Sequence, residues 1–207
     1  MTIPRLLAAG GLVLALAGCT TPYQPAGMGG GFFETQLARD RYSVEFRGNG
    51  STSAPLVANM YLYRCADLSV RNGFDVFVSR RPEDANSPPW PGALAQEAGA
   101  GDAPLTDYKS AGVTYIPAYT APTTVTIHTM RGVVHMARYA DVPANFKIWD
   151  ARAVMKVLEP VVRGNAGQKP LTMEQVAASA LVSGRGKAGV ATGGATLDDL
   201  RRLLVQP

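Results

Sequence analysis

Apolar and polar residues alternate from Arg41 to Arg47. Tyr42, Val44 and Phe46 fall on one side and Ser43, Glu45 and Arg47 on the other, the period-two signature of a half-buried strand. Gly48-Asn49-Gly50 ends it, and the period then lengthens. Val57, Met60, Tyr61, Cys65 and Leu68 recur at helical spacing, after Ser51, Thr52 and Ser53 as sources of N-cap oxygens and Pro55 for a first turn. This spacing predicts a helix from about Ala54 to Asn72, stopped by Gly73. Phe74 to Ser79 reads as a second strand, with Phe74, Val76 and Val78 on one face. Together these make a strand–helix–strand unit of about 40 residues, compatible with a right-handed crossover.

The pattern weakens over residues 80–112, a Pro/Ala/Gly-rich stretch holding Pro82, Pro88, Pro89, Pro91 and Pro104 that reads as one long loop. Val113 to Ile116 reads as a short strand. Thr123 to Met130 alternates again, and Arg131-Gly132 predicts a turn into a further strand, Val133 to Ala137. Asp150 suits the N-cap of a helix reaching about Arg163, with Val154, Val157, Leu158 and Val161 inward and Pro160 predicting a kink or an early end. Beyond it, Thr172 and Gln175 form a capping-box pattern before an alanine-rich helix, and Thr196 precedes a last one with Leu197, Leu200, Leu203 and Leu204 on one side. Residues 164–207 are thus expected to be a loose glycine-rich arm with short helices. The fold expected is α+β: a small two-layer domain over residues 32–163, with a mostly antiparallel sheet.

Composition excludes several classes. The chain has 207 residues, of which 46% are apolar and 17% charged, so it is not disordered throughout. Two cysteines exclude a disulfide framework and a multi-cysteine zinc module. No apolar run reaches the ~18 residues of a membrane-spanning helix. Residues 1–18 read as a signal peptide, with Arg5 before an apolar stretch from Leu6 to Ala17. Leu16-Ala17-Gly18-Cys19 resembles the lipobox of bacterial lipoproteins. That resemblance implies cleavage before Cys19, diacylglycerol on its sulfur and an acyl chain on its new amine. With Thr20 rather than Asp in the next position, it further implies the outer membrane, facing the periplasm. Two or three acyl chains anchor permanently where one binds only marginally. Residues 19–31, with Pro22, Pro25 and Gly29-Gly30-Gly31, read as a flexible tether reaching roughly 20 Å. Cys65 is left unpaired and is expected to be buried. A net charge of +4, spread along the chain, does not argue for nucleic acid, and neither does that compartment.

Candidate chemistry is sparse. Gly184-Arg185-Gly186-Lys187-Ala188-Gly189 matches G-x-G-x-x-G but lacks the preceding strand that dinucleotide binding needs. The Gly48–Thr52 turn offers helix N-terminal amides to an anion, or else satisfies them with its own oxygens. His128 and His135 are placed across the expected hairpin and supply two ligands, too few for a zinc site; surface histidines are the plainer reading. No nucleophile elbow, Ser-x-x-Lys or other catalytic set is present, so neither catalysis, metal nor cofactor is expected. Arg64 has Asp67 at i+3 as an ion-pair partner, or else lines a groove beside Asn49. Pro88-Pro89-Trp90-Pro91 presents Trp90 to a partner or folds it back onto the sheet.

Residues 32–78 are similar to a family of small proteobacterial lipoproteins of uncharacterised function. The likeness rests on Phe33-Glu34, Val44-Glu45-Phe46-Arg47-Gly48-Asn49, Tyr63-Arg64-Cys65-Ala66-Asp67-Leu68 and Gly73-Phe74-Asp75-Val76-Phe77, with Asp67 in place of the usual Glu. It implies a lipid anchor and the strand–helix–strand unit, and assigns no reaction or binding residue. The functional expectation is a non-enzymatic envelope accessory protein that docks through Trp90. The alternative is a periplasmic binding domain for a small or lipidic ligand, with a groove at Arg64 and Asn49.

Overall fold

Six strands in one open sheet carry three helices in this computed structural model, which describes residues 20–90, 93, 126–144, 146–164 and 169–184. In chain order they are β1 (Gly31–Ala38), β2 (Arg41–Arg47), α1 (Ala54–Arg71), β3 (Val76–Arg80), β4 (Thr129–Ala137), β5 (Lys147–Asp150), α2 (Ala151–Arg163), α3 (Met173–Ala180) and β6 (Leu181–Ser183). The sheet order is β1-β2-β4-β3-β5-β6 and every neighbouring pair is antiparallel. The class is α+β. β2 and β3 are both antiparallel to β4, so they run parallel to each other with β4 inserted between them. The strand–helix–strand unit is therefore a crossover that skips one strand.

α1 forms where its apolar spacing predicts. Residues Asn59 to Ser69 are buried all round, because α1 packs on β2, β3 and β4 through one side and on α2 through another. Cys65 lies fully buried among them, and burial pushes its thiol pKa up, leaving it inert. Asn72 closes the helix by donating to the Leu68 carbonyl, and Gly73 follows at φ +79°. Asp150 caps α2 through the Ala153 amide at 2.8 Å. α2 continues past the exposed Pro160 to Arg163, and Val162 is buried where Val157 and Val161 are only half-buried.

β4 corrects the expected hairpin. It runs unbroken through Arg131-Gly132 and pairs with β2 on one side and β3 on the other. Gly132 is not a turn residue. It makes room for the Tyr61 hydroxyl, which reaches the sheet from α1 and shares a 2.5 Å hydrogen bond with Ser79 Oγ. A Cβ at position 132 would collide with that hydroxyl and sit 2.8 Å from Ser79 Oγ.

The two ends of the domain also differ from expectation. Thr21 is 0% exposed; its amide donates to Thr52 Oγ1 and its hydroxyl to the Gly29 carbonyl, both at 2.8 Å. Residues 24–26 bond with Phe32, and Gly30 and Gly31 take φ values of +95° and +128° that favour glycine. Residues 20–31 are thus docked on the domain rather than a free coil. β1 follows as a polar edge strand with no alternating pattern to announce it. At the other end, the Thr172–Gln175 capping box forms, α3 buries Val176, Ala177 and Ala180, and β6 pairs with β5. Asn59 locks this segment with reciprocal hydrogen bonds to the Leu171 backbone, at 3.0 and 2.9 Å. Residues 169–184 therefore belong to the domain. Residues 1–18, read as a signal peptide, Cys19, nearly all of residues 91–125, including the strand expected at 113–116, and the last expected helix lie outside the described residues.

Gly132→Ala is expected to lower the urea midpoint at unchanged slope, by about 1–3 kcal/mol of overpacking. Gly27→Ala, where an added Cβ meets nothing within 4 Å, should leave it in place.

Candidate functional site

Arg64 is the centre of the first candidate site. Its side chain is 6% exposed, so its charge must be matched inside the protein. Glu34 on β1 does this in a bidentate grip, accepting from Nε and Nη2 at 2.6 Å each. Asp67, one turn along α1, accepts from Nη1 at 2.7 Å. Asp67 also accepts from Arg71 Nε at 2.9 Å and from the Tyr23 hydroxyl at 3.3 Å. The guanidinium lies 3.9 Å from the centre of the Phe32 ring. Burial opposes the charge of Arg64, but its bonds to Glu34 and Tyr23 outweigh this and raise its pKa. Burial likewise holds the Tyr23 phenol well above its ordinary range.

Around this network lies a groove of about 1240 Å³. One wall is the docked segment from Thr20 to Tyr23 and another is the end of α2, with Lys169 and Pro170 beside it. Leu56, Met60, Val161 and Val162 give it an aliphatic lining. Arg71, Arg163 and Lys169 are its cations besides Arg64, and Arg163 also approaches the Tyr63 ring at 5.7 Å. Glu34 and Asp67 are already engaged by Arg64 and Arg71, so the groove presents a surplus of positive charge.

Both sequence readings of Arg64 hold in part: it pairs with Asp67 and it lines the groove. Asn49 does not line it. Its amide donates to Thr21 Oγ1 at 2.8 Å, and its side-chain oxygen accepts from the Ser51 amide and the Thr52 hydroxyl. The turn satisfies these groups itself, and Asn49 positions the wall in which Ser51 and Ser53 face the groove. Cys19 lies outside the described residues. Trp90 is corrected as a partner contact: it is 7% exposed, packs 6.2 Å from Phe146, and its loop is tied down by Arg80 donating to the Pro89 carbonyl at 2.7 Å. Hiding so large an apolar ring is worth more than presenting it to water. With β4 continuous, His128 and His135 do not face each other, and His135 is buried rather than a surface residue. Gly184 has a packing role, since a Cβ there would strike the Pro143 carbonyl. Among the described residues no cluster of His, Cys, Asp and Glu suits a metal ion.

Sequence reasoning missed Glu34 as the partner of Arg64, and missed Tyr23, Arg163 and Lys169. Glu34 had only its place in the family-like pattern to mark it; the cations at the groove have no shared spacing. Compared with models of known protein families, with curated proteins and with solved structures, the chain has no match.

Arg64→Met should cost about 3–5 kcal/mol, because it removes the ion-pair partner of Glu34 and leaves buried Asp67 only Arg71 and the Tyr23 hydroxyl, whereas Arg71→Gln at an exposed position should cost under ~1 kcal/mol. Chemical denaturation of both variants checks this. A second prediction concerns pH. Burial, then Arg41 and Arg80, push the His135 imidazole down to about 4 from 6.5. Between those values the unfolded chain binds a proton that the folded chain refuses, so this contribution to stability is lost as pH falls through that window. Denaturation midpoints between pH 7 and 4 should flatten in His135→Gln.

Proposed function

We propose that this protein is a lipid-anchored envelope component, held through acylated Cys19 at the periplasmic face of the outer membrane. It acts there, without catalysis, as a binding module for an anionic lipidic ligand in the Arg64 groove. The observation that supports this reading is that the groove wall begins at Thr20, adjacent to Cys19, with Thr21 buried and fixed. Consecutive Cα atoms are ~3.8 Å apart, so an acylated Cys19 would keep the groove close to the headgroups rather than a leash length away. Basic side chains near an anionic surface are worth ~1 kcal/mol each, and Arg163 and Lys169, the cations beyond those that pair with Glu34 and Asp67, line one opening. The aliphatic lining suits the first methylenes of an acyl chain. The docking role assigned to Trp90 loses its contact residue, because that ring is folded inward.

Two measurements test this. Mass spectrometry of the membrane-extracted chain should show it starting at a diacylglycerol-bearing Cys19; an unmodified cysteine or another start would remove the anchor. In the anchored protein, a photo-crosslinker at Val161 in the groove should capture phospholipid in preference to one at the exposed Phe33. Equal lipid capture at both positions, or a discrete protein adduct at Val161, would overturn the ligand assignment, the latter in favour of docking.

A further inference from the structure

A second basic cluster lies at the Trp90 loop, independent of the groove and of the anchor. The register puts Arg41 on β2 opposite His135 on β4, and Val78 on β3 opposite His135 on its other side. Arg80 is two residues beyond Val78 and so shares that face. Ser79 points the other way, to Tyr61 of α1, which makes this the sheet face turned from α1. The chain after β3 covers it. Arg41 Nη1 donates to the Ala85 carbonyl at 3.1 Å and Arg80 Nη2 to the Pro89 carbonyl at 2.7 Å.

These bonds leave three nitrogens over. Arg41 Nε, Arg80 Nε and His135 Nε2 are each buried with no hydrogen-bond partner, and His135 as a whole is 5% exposed. Among the described residues neither arginine forms an ion pair. Arg41, His135 and Trp90 line a cavity of about 650 Å³, in the size range of small-molecule sites. The other charged groups on its wall are Arg39, Asp40, Arg138 and Asp141, and Arg80 reaches the wall through the Pro89 carbonyl, so cations outnumber carboxylates. Burying like charges around orphaned donors is costly unless an anion joins them. Burial lowers the pKa of His135, and the positive field of Arg41 and Arg80 adds to it.

We propose that Arg41, Arg80 and His135 form a binding site for a small molecule carrying a phosphate group, enclosed by the Pro88–Trp90 loop. Two guanidiniums match the double charge of a phosphate monoester, and the uncharged imidazole supplies a further donor from Nε2. Three donors from three strands suit a tetrahedral oxyanion better than a planar carboxylate. The space beyond the ion, beside Trp90 and Phe74, is left for the organic part.

The test is a titration of the purified protein with inorganic phosphate, at neutral pH and ionic strength held constant with chloride, read on the histidine ring protons by NMR. His135 should respond saturably and His128 should not. With phosphate bound, the His135 midpoint should move upward from about 4, because the anion favours the imidazolium. Arg80→Gln should weaken the response by about tenfold or more. If that variant does not fold, the wild-type titration stands alone as the test. A response that never saturates, or that is equal at both histidines, would overturn the site. Tighter binding of succinate than of phosphate would overturn the ligand class.

Discussion

A guanidinium withdrawn from water has to be matched charge for charge, and Arg64 imposes that condition on three separate stretches of chain. Glu34 and Phe32 bring the edge strand, Asp67 comes from the same helix, and Tyr23, bonded to Asp67, brings the segment that precedes the sheet. β1 has little apolar surface of its own to hold it in place. Its position depends on the ladder to β2 and on this ion pair, and the docked 20–31 segment depends in turn on β1 and on the Thr21–Thr52–Asn49 hydrogen bonds. The network is nearly self-neutral, which is why it contributes shape to the groove while the surrounding cations contribute charge.

The sheet divides its labour between faces. On the α1 side the contacts are apolar and close, with Gly132 admitting the one hydroxyl that crosses to Ser79. On the other side, among the described residues, the 82–90 stretch rather than an α-helix covers Arg41, Arg80 and His135, and its carbonyls occupy some of the donors and not others. A face closed by loop carbonyls rather than by side-chain carboxylates retains its positive charge. The two basic sites therefore differ in kind: the groove is built around an arginine paired with carboxylates, and the cavity beside arginines that form no ion pair among the described residues.

What the sequence by itself determined was local and periodic. The alternation in Arg41–Arg47, the helical spacing from Val57 to Leu68, the Asp150 cap and the Thr172–Gln175 box each depend on residues within a turn or two, and each appears at its expected place. The burial of Cys65 follows from its position on the same helical face. Tertiary structure decided the rest. Whether Arg131-Gly132 turns or continues depends on Tyr61, some 70 positions earlier in the chain, and whether Trp90 faces water depends on Phe146. Residues 20–31 look like a linker because they are polar and glycine-rich, and residues 169–184 like part of an arm because glycine-rich sequence follows them, yet Thr52 and Asn59 hold the two segments by hydrogen bonds to the Thr21 and Leu171 backbone, which no spacing along the chain announces. Charge clusters such as Arg41–Arg80–His135 come from strand register, and register is a long-range property: the residues meet because β4 threads between β2 and β3, and no spacing along the chain encodes that insertion.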